Sequence, residues 1–159
     1  MEAKSTDKRT FQLTENGQLL GELVYKNLFL HKAEIRLTNA ELYEVNPVGI
    51  FGTSIMVTNN GIEIANLKMN WRGQIVFTFQ NGQEFVLKAK GTFHNKYIIE
   101  NKDEEMIIQF DPKFNWSKFN YNYDITYEKK PQDILMVLLG VYASNYFIAS
   151  MSGTLAGIA

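Results

Sequence analysis

The segment Lys129-Lys130-Pro131-Gln132-Asp133, followed by Ile134-Leu135-Met136-Val137-Leu138-Leu139-Gly140-Val141-Tyr142-Ala143, decides how the chain is read. Pro131 suits a first helical position, and Asp133 lies where the positive end of a helix dipole favours an acid. The pattern predicts a helix over about 131–149. From Ile134 to Ala159 no residue is charged, so this helix has no polar face and needs burial in protein or in a bilayer. A run of about 20 apolar residues crosses a hydrocarbon core. Ser144, Asn145, Ser150, Ser152 and Thr154 dilute this one, and its strongly apolar part, Ile134 to Ala143, has the length of a buried core helix.

Outward from the helix toward the N-terminus the period changes to two. The clearest strand is Phe119 to Glu128, where Phe119, Tyr121, Tyr123, Ile125 and Tyr127 alternate with Asn120, Asn122, Asp124, Thr126 and Glu128. One face reads as core and the other as solvent, so the aromatic stripe is expected to pack inward and not to stack on nucleic acid. The same alternation continues back to Phe11, punctuated by Asn16-Gly17, Asn60-Gly61 and Asn81-Gly82, pairs in which positive φ is tolerated.

Apolar residues paired across a hairpin share a face, which predicts loop lengths. A two-residue loop at Asn60-Gly61 pairs Val57 with Ile64. At Asn81-Gly82 the same loop would oppose Phe79 and Glu84, so a three-residue loop, Gln80-Asn81-Gly82 with Gly82 left-handed, is expected; it pairs Phe77 with Phe85 and Ile75 with Leu87. A loop of Glu15-Asn16-Gly17 sets Leu13 opposite Leu19.

A sheet with a one-sided aromatic face needs something large and apolar to cover it, and the helix can supply that. With a helix diameter of ~10 Å, sheet packing at ~10 Å, strand spacing of ~4.8 Å and tilt near ~40°, a barrel around one helix needs roughly ten to twelve strands. The period-two runs number about eleven. The expected fold is therefore mainly β: an antiparallel barrel of roughly ten to twelve strands wrapped around a hydrophobic C-terminal helix. Residues 1–9 read as a polar tail without a secretory signal, and 10–159 as one domain.

This plan resembles the tubby C-terminal-like superfamily, which includes the plant LURP-one-related proteins and the phospholipid scramblases. The similar segments are Tyr43-Glu44-Val45 through Gly49-Ile50-Phe51-Gly52, the strand run from Ile62 to Lys90, and the closing helix from Ile134 to Tyr146. The resemblance implies a barrel around its own helix, in a superfamily whose members bind phosphoinositides or act on membranes. It implies no catalysis, and no lipid-binding motif aligns residue by residue.

Composition agrees with a globular chain that lacks a global field. Sixteen basic and 17 acidic residues give a net charge of -1, so neither nucleic acid nor an anionic membrane is drawn over long distances. The absence of cysteine removes disulfides and thiolate chemistry and suits the cytoplasm. His31 and His94 stand alone, with no metal-ligand spacing. Asp103, Glu104 and Glu105 read as a solvated turn that lacks the oxygen spacing of a calcium loop. Asp111 and Asp124 are not expected to meet as a carboxylate pair. Gly49-Ile50-Phe51-Gly52 reads as a turn, without the lysine of a phosphate loop. No catalytic constellation, metal or cofactor is indicated.

The basic residues carry the functional tilt. Lys88 and Lys90 share the outer face of one strand, and Lys68 and Arg72 share another. Joined by Lys129 and Lys130, these four would form an anionic-ligand patch. The expected function is a non-enzymatic, cytoplasmic binding domain, peripheral to a membrane, that recognises anionic phospholipid headgroups. A tail-anchored protein and a domain that binds only a protein partner are the alternatives.

Overall fold

The computed structural model describes residues 1–49, 54–93 and 95–158, with 152–158 as helix backbone alone. Twelve antiparallel strands close into a barrel: β1 (Glu2–Ser5), β2 (Thr10–Glu15), β3 (Gln18–Asn27), β4 (Lys32–Leu37), β5 (Leu42–Val48), β6 (Ser54–Asn59), β7 (Ile62–Met69), β8 (Ile75–Phe79), β9 (Glu84–Lys90), β10 (Lys96–Glu100), β11 (Met106–Asn115) and β12 (Asn120–Thr126). Each strand pairs with its sequence neighbours, and β1 closes the ring against β12. The helix α1 spans Ile134–Ile158, and its stretch from Leu135 to Ser144 is buried inside the barrel. Full closure leaves no free strand edge.

Residues 2–5, expected to belong to a polar tail, instead complete the barrel. Ala3 and Ser5 point inward and are buried, and the polar Glu2 and Lys4 between them pair with each other on the outside at 2.9 Å. Four residues with a single hydrophobic side chain gave too weak a period to be seen. The helix start also differs. Asp133 is the N-cap, its Oδ1 accepting the Leu135 N–H at 2.9 Å, and Pro131 lies before the cap.

The walls touch the helix closely at two glycines. A Cβ on Gly140 would lie 2.2 Å from Phe110 Cζ, and one on Gly21 of β3 would lie 2.9 Å from the Arg36 carbonyl oxygen and 3.0 Å from Leu138 Cδ1. Leu13, Leu23, Ile35, Val57, Leu67, Phe77, Leu87, Ile108, Phe110 and Tyr123 complete the packed layer around α1.

The Gln80-Asn81-Gly82 loop is as expected, with Gly82 at φ 83°, Phe77 opposite Phe85 and Ile75 opposite Leu87. The other two hairpins share a different device. Asn16-Gly17 and Asn60-Gly61 are two-residue loops with positive φ at both positions, each followed by a bulge on the outgoing strand. The bulge moves Leu13 opposite Gly21 and Val57 opposite Ala65, in place of Leu19 and Ile64. One extra residue restores the inward face after the turn, which pairing of apolar residues alone does not reveal. The Phe119–Glu128 stripe is shorter than expected: Tyr123 and Ile125 are buried, Tyr127 lies past the strand, and Phe119 sits in the preceding turn with φ 49° and its ring exposed.

Candidate functional site

An up-and-down barrel sorts its connections by parity. The β1–β2, β3–β4, β5–β6, β7–β8, β9–β10 and β11–β12 turns lie at one end. The other five turns and the β12–α1 link lie at the opposite end. The helix enters through the second end and leaves through the first, where its ring contacts hold it. Tyr146 packs edge-on against His31 at 5.1 Å, Phe147 against Tyr97 at 5.5 Å, and the Tyr142 hydroxyl donates to the His31 carbonyl at 2.7 Å.

The two ends differ in chemistry. The entry end is built from Asn16-Gly17, Asn60-Gly61, the Asn101–Glu105 turn and similar polar sequence. The Asp103-Glu104-Glu105 run is the solvated turn expected, organised by Asn101 Oδ1, which accepts the N–H groups of Asp103 and Glu105. At the exit end, turn tips carry Leu28-Phe29-Leu30, Trp71, Phe93, and Trp116 with Phe119. Phe29 is 90% exposed, Trp71 88% and Phe93 86%. Every large aromatic exposed among the described residues belongs to this end, and Met151 of the emerging helix joins it. Only Leu19, Leu42 and Ile62 are comparable near the other. This concentration of exposed apolar side chains makes the exit end the candidate contact surface.

Basic side chains are interleaved with these tips. Lys8 and Arg9 lie in the β1–β2 turn, Arg72 beside Trp71, and Lys118 beside Phe119. Asp7 stands among them: its Oδ1 accepts the backbone N–H groups of Arg9 at 2.7 Å and Thr10 at 2.8 Å, and the Arg9 N–H chiefly holds its carboxyl below the usual range, with the Lys118 charge adding to the effect. Arg72 stacks over the Trp71 ring at 4.9 Å.

The four residues singled out as a patch divide accordingly. Lys68 is the last residue but one of β7, Lys90 ends β9 and Arg72 occupies the β7–β8 turn, so these three border the exit end. None of the three forms an ion pair among the described residues. Lys88 sits higher on the wall and is bound to Glu100 at 2.7 Å. Lys129 and Lys130 lie at the opposite end, where Lys130 and the Tyr127 hydroxyl engage Glu15. They cannot join the patch, because the β12–α1 link returns the chain to the entry side.

Asp111 and Asp124, expected to stay apart, are direct cross-strand partners. Each has its own lysine: Lys96 contacts Asp111 at 3.2 Å, and Lys113 contacts Asp124. The pair stands on the convex outer wall, where no cleft would hold a sugar ring, so it reads as a surface charge ladder. No cluster of potential metal ligands occurs among the described residues. His94 and residues 50–52 of the Gly49–Gly52 turn lie outside the described residues. His31 is half-buried, and burial lowers its pKa.

Phe29, Trp71, Phe93 and Trp116 belong to no periodic run or motif in the sequence, and alternation alone places Phe119 in a core stripe. Their signal is an aromatic within a turn sequence, as in Asn70-Trp71-Arg72-Gly73, where polar residues are the rule. No family model, curated protein or solved structure matches the chain.

Proposed function

We propose that the protein is a non-enzymatic domain that docks end-on onto an anionic membrane through the helix-exit end of its barrel. The carrying observation is the gathering of exposed aromatic tips, unpaired basic residues and an emerging uncharged helix at that one end. Aromatic rings suit the interface between headgroups and acyl chains, and each nearby Lys or Arg contributes about 1 kcal/mol at an anionic surface. Headgroup recognition then belongs to Lys8, Arg9, Lys68, Arg72, Lys90 and Lys118, with Lys88 removed from the set. A barrel wrapped around its own C-terminal helix is also the plan that the resemblance to tubby-type proteins implies, and the location that goes with this reading is cytoplasmic and peripheral to a membrane.

Flotation with phosphatidylglycerol and phosphatidylcholine vesicles tests the reading. The wild type should float with the anionic vesicles in a salt-sensitive manner. Trp71→Glu with Phe93→Glu should abolish flotation, whereas Ile62→Glu at the entry end should leave it unchanged. Equal behaviour of the two variants would remove the exit end from the function. Salt-resistant flotation with both vesicle types would favour an inserted helix over peripheral docking.

A further inference from the structure

Beside the emerging helix the exit end is not sealed. A cleft of about 270 Å³ opens between α1 and the β2, β3 and β12 side of the wall. Its apolar lining comes from Phe11, Leu28, Phe119 and Ile148. Deeper in, Tyr25 and Asn145 are joined in a chain of hydrogen bonds, Asn145 Nδ2 donating to Tyr25 at 3.2 Å and the Tyr123 hydroxyl donating to Asn145 Oδ1 at 2.6 Å. At the exposed rim stands Lys8, whose ammonium is in no ion pair among the described residues.

Two lining residues are held in the left-handed region, His31 at φ 53° and Phe119 at φ 49°. For a bulky aromatic this conformation is unfavourable, and such outliers gather at ligand clamps. Here the turn holds the Phe119 ring at the cleft mouth instead of in the core stripe its sequence pattern suggests. The volume is just below the usual range for small-molecule sites, ~300–1,000 Å³. A cleft of this size suits one alkyl chain better than the paired chains of a phospholipid.

We propose that this cleft binds the single alkyl chain of an anionic amphiphile of the fatty-acid class, with the carboxylate at Lys8 and the chain against Phe11, Leu28, Phe119 and Ile148. The proposal deepens the membrane reading, on which it relies only for the source of the chain. Cleft binding itself is measurable without a bilayer.

The probe is sodium dodecanoate, titrated below its micellar concentration by calorimetry in the absence of vesicles, with dodecanol as the uncharged control. Saturable binding of one dodecanoate per chain is expected. Ala149→Phe, which fills the cleft from the helix, should weaken it at least tenfold. Lys8→Glu should weaken dodecanoate binding and spare dodecanol, a difference that a folding defect would not produce. Trp71→Glu with Phe93→Glu should bind dodecanoate like the wild type even where flotation is lost, which separates failure of the cleft from failure of docking. Dodecanoate should stay bound beside phosphatidylglycerol vesicles at matched free concentration, whereas a phospholipid chain that displaces it from the cleft would overturn the fatty-acid assignment. Absence of saturable binding to the wild type, or equal binding by Ala149→Phe and Lys8→Glu, would overturn the proposal.

Discussion

Replacing Gly140 with alanine sets two known effects against each other and so tests whether the helix is packed against the wall. Within a helix interior, Gly→Ala gains about 1 kcal/mol from propensity. Against this, the new Cβ would meet Phe110 Cζ at 2.2 Å, where ordinary contact is 3.4–4 Å. The ring must therefore move by more than 1 Å. It is fully buried and packed edge-on against Tyr123 at 6.5 Å, so it has little room. Overpacking of this kind costs about 1–3 kcal/mol, here toward the upper end, and a net loss of ~2 kcal/mol remains after the propensity gain. With an m-value of ~2 kcal/mol per molar, the urea midpoint should fall by ~1 M. Phe110→Leu should restore part of that loss in the Gly140→Ala background, giving a coupling of at least ~1 kcal/mol in a double-mutant cycle. A raised midpoint for Gly140→Ala alone would mean that propensity dominates and the helix is not pressed against β11.

Other consequences are smaller and independent. Ala40 and Glu104 each adopt a left-handed conformation, at φ 70° and 61°, in turns where glycine is usual. Ala40→Gly and Glu104→Gly should each raise stability by ~0.5–1 kcal/mol by thermal or urea unfolding, and a loss would show that side-chain contacts outweigh backbone strain. Asp133→Ala removes the cap on the Leu135 N–H and should cost ~1 kcal/mol, whereas Asp133→Asn should retain most of it. His31 is held neutral by burial, with Tyr146 against its ring and Lys8 lining the same cleft. The unfolded chain takes up the proton more readily, so stability should fall as pH drops below about 6.5 toward the lowered folded value. His31→Asn, which tolerates the same backbone, should flatten that slope.

The barrel was legible because its two signals are strong and agree. Alternation from Phe11 to Ile125 requires a covered face, and Ile134 to Ala143 offers the cover. What stayed hidden was local. The four residues of β1 have too few inward side chains to register, and the two bulges alter the register without altering composition. Turns that close on Ala40 and Glu104 instead of glycine are held partly by side chains, as where Asn39 Oδ1 accepts the Glu41 N–H and Asn101 Oδ1 that of Glu105. The candidate site was harder, because it is a property of parity and not of any segment. Phe29, Trp71, Phe93 and Trp116 lie far apart in sequence, and only the alternation of strand direction brings their turns to one end. Outer-face lysines were visible, yet strand spacing alone could not show that Lys88 spends its charge on Glu100 while Lys90 does not.

Comparison of lengths separates the part of the helix that fills the barrel from the part that emerges from it. A seven-residue strand such as β9, at ~3.3 Å per residue and a tilt near ~40°, gives the wall a height of ~18 Å. At 1.5 Å per residue, that height accommodates about twelve helical residues, in agreement with burial from Leu135 to Ser144. The helix has 25 residues, so about half of it lies at or beyond the mouth of the barrel. That half carries no charge, and it holds Asn145, Ser150, Ser152 and Thr154, the polar residues that interrupt the apolar run. The surplus leaves at the end where Phe29, Trp71 and Phe93 are exposed and Lys8, Arg9, Arg72 and Lys118 lie between them. On the docking reading proposed above, this emerging half and the aromatic tips beside it would meet the bilayer together, while Leu135 to Ser144 forms the core of the barrel.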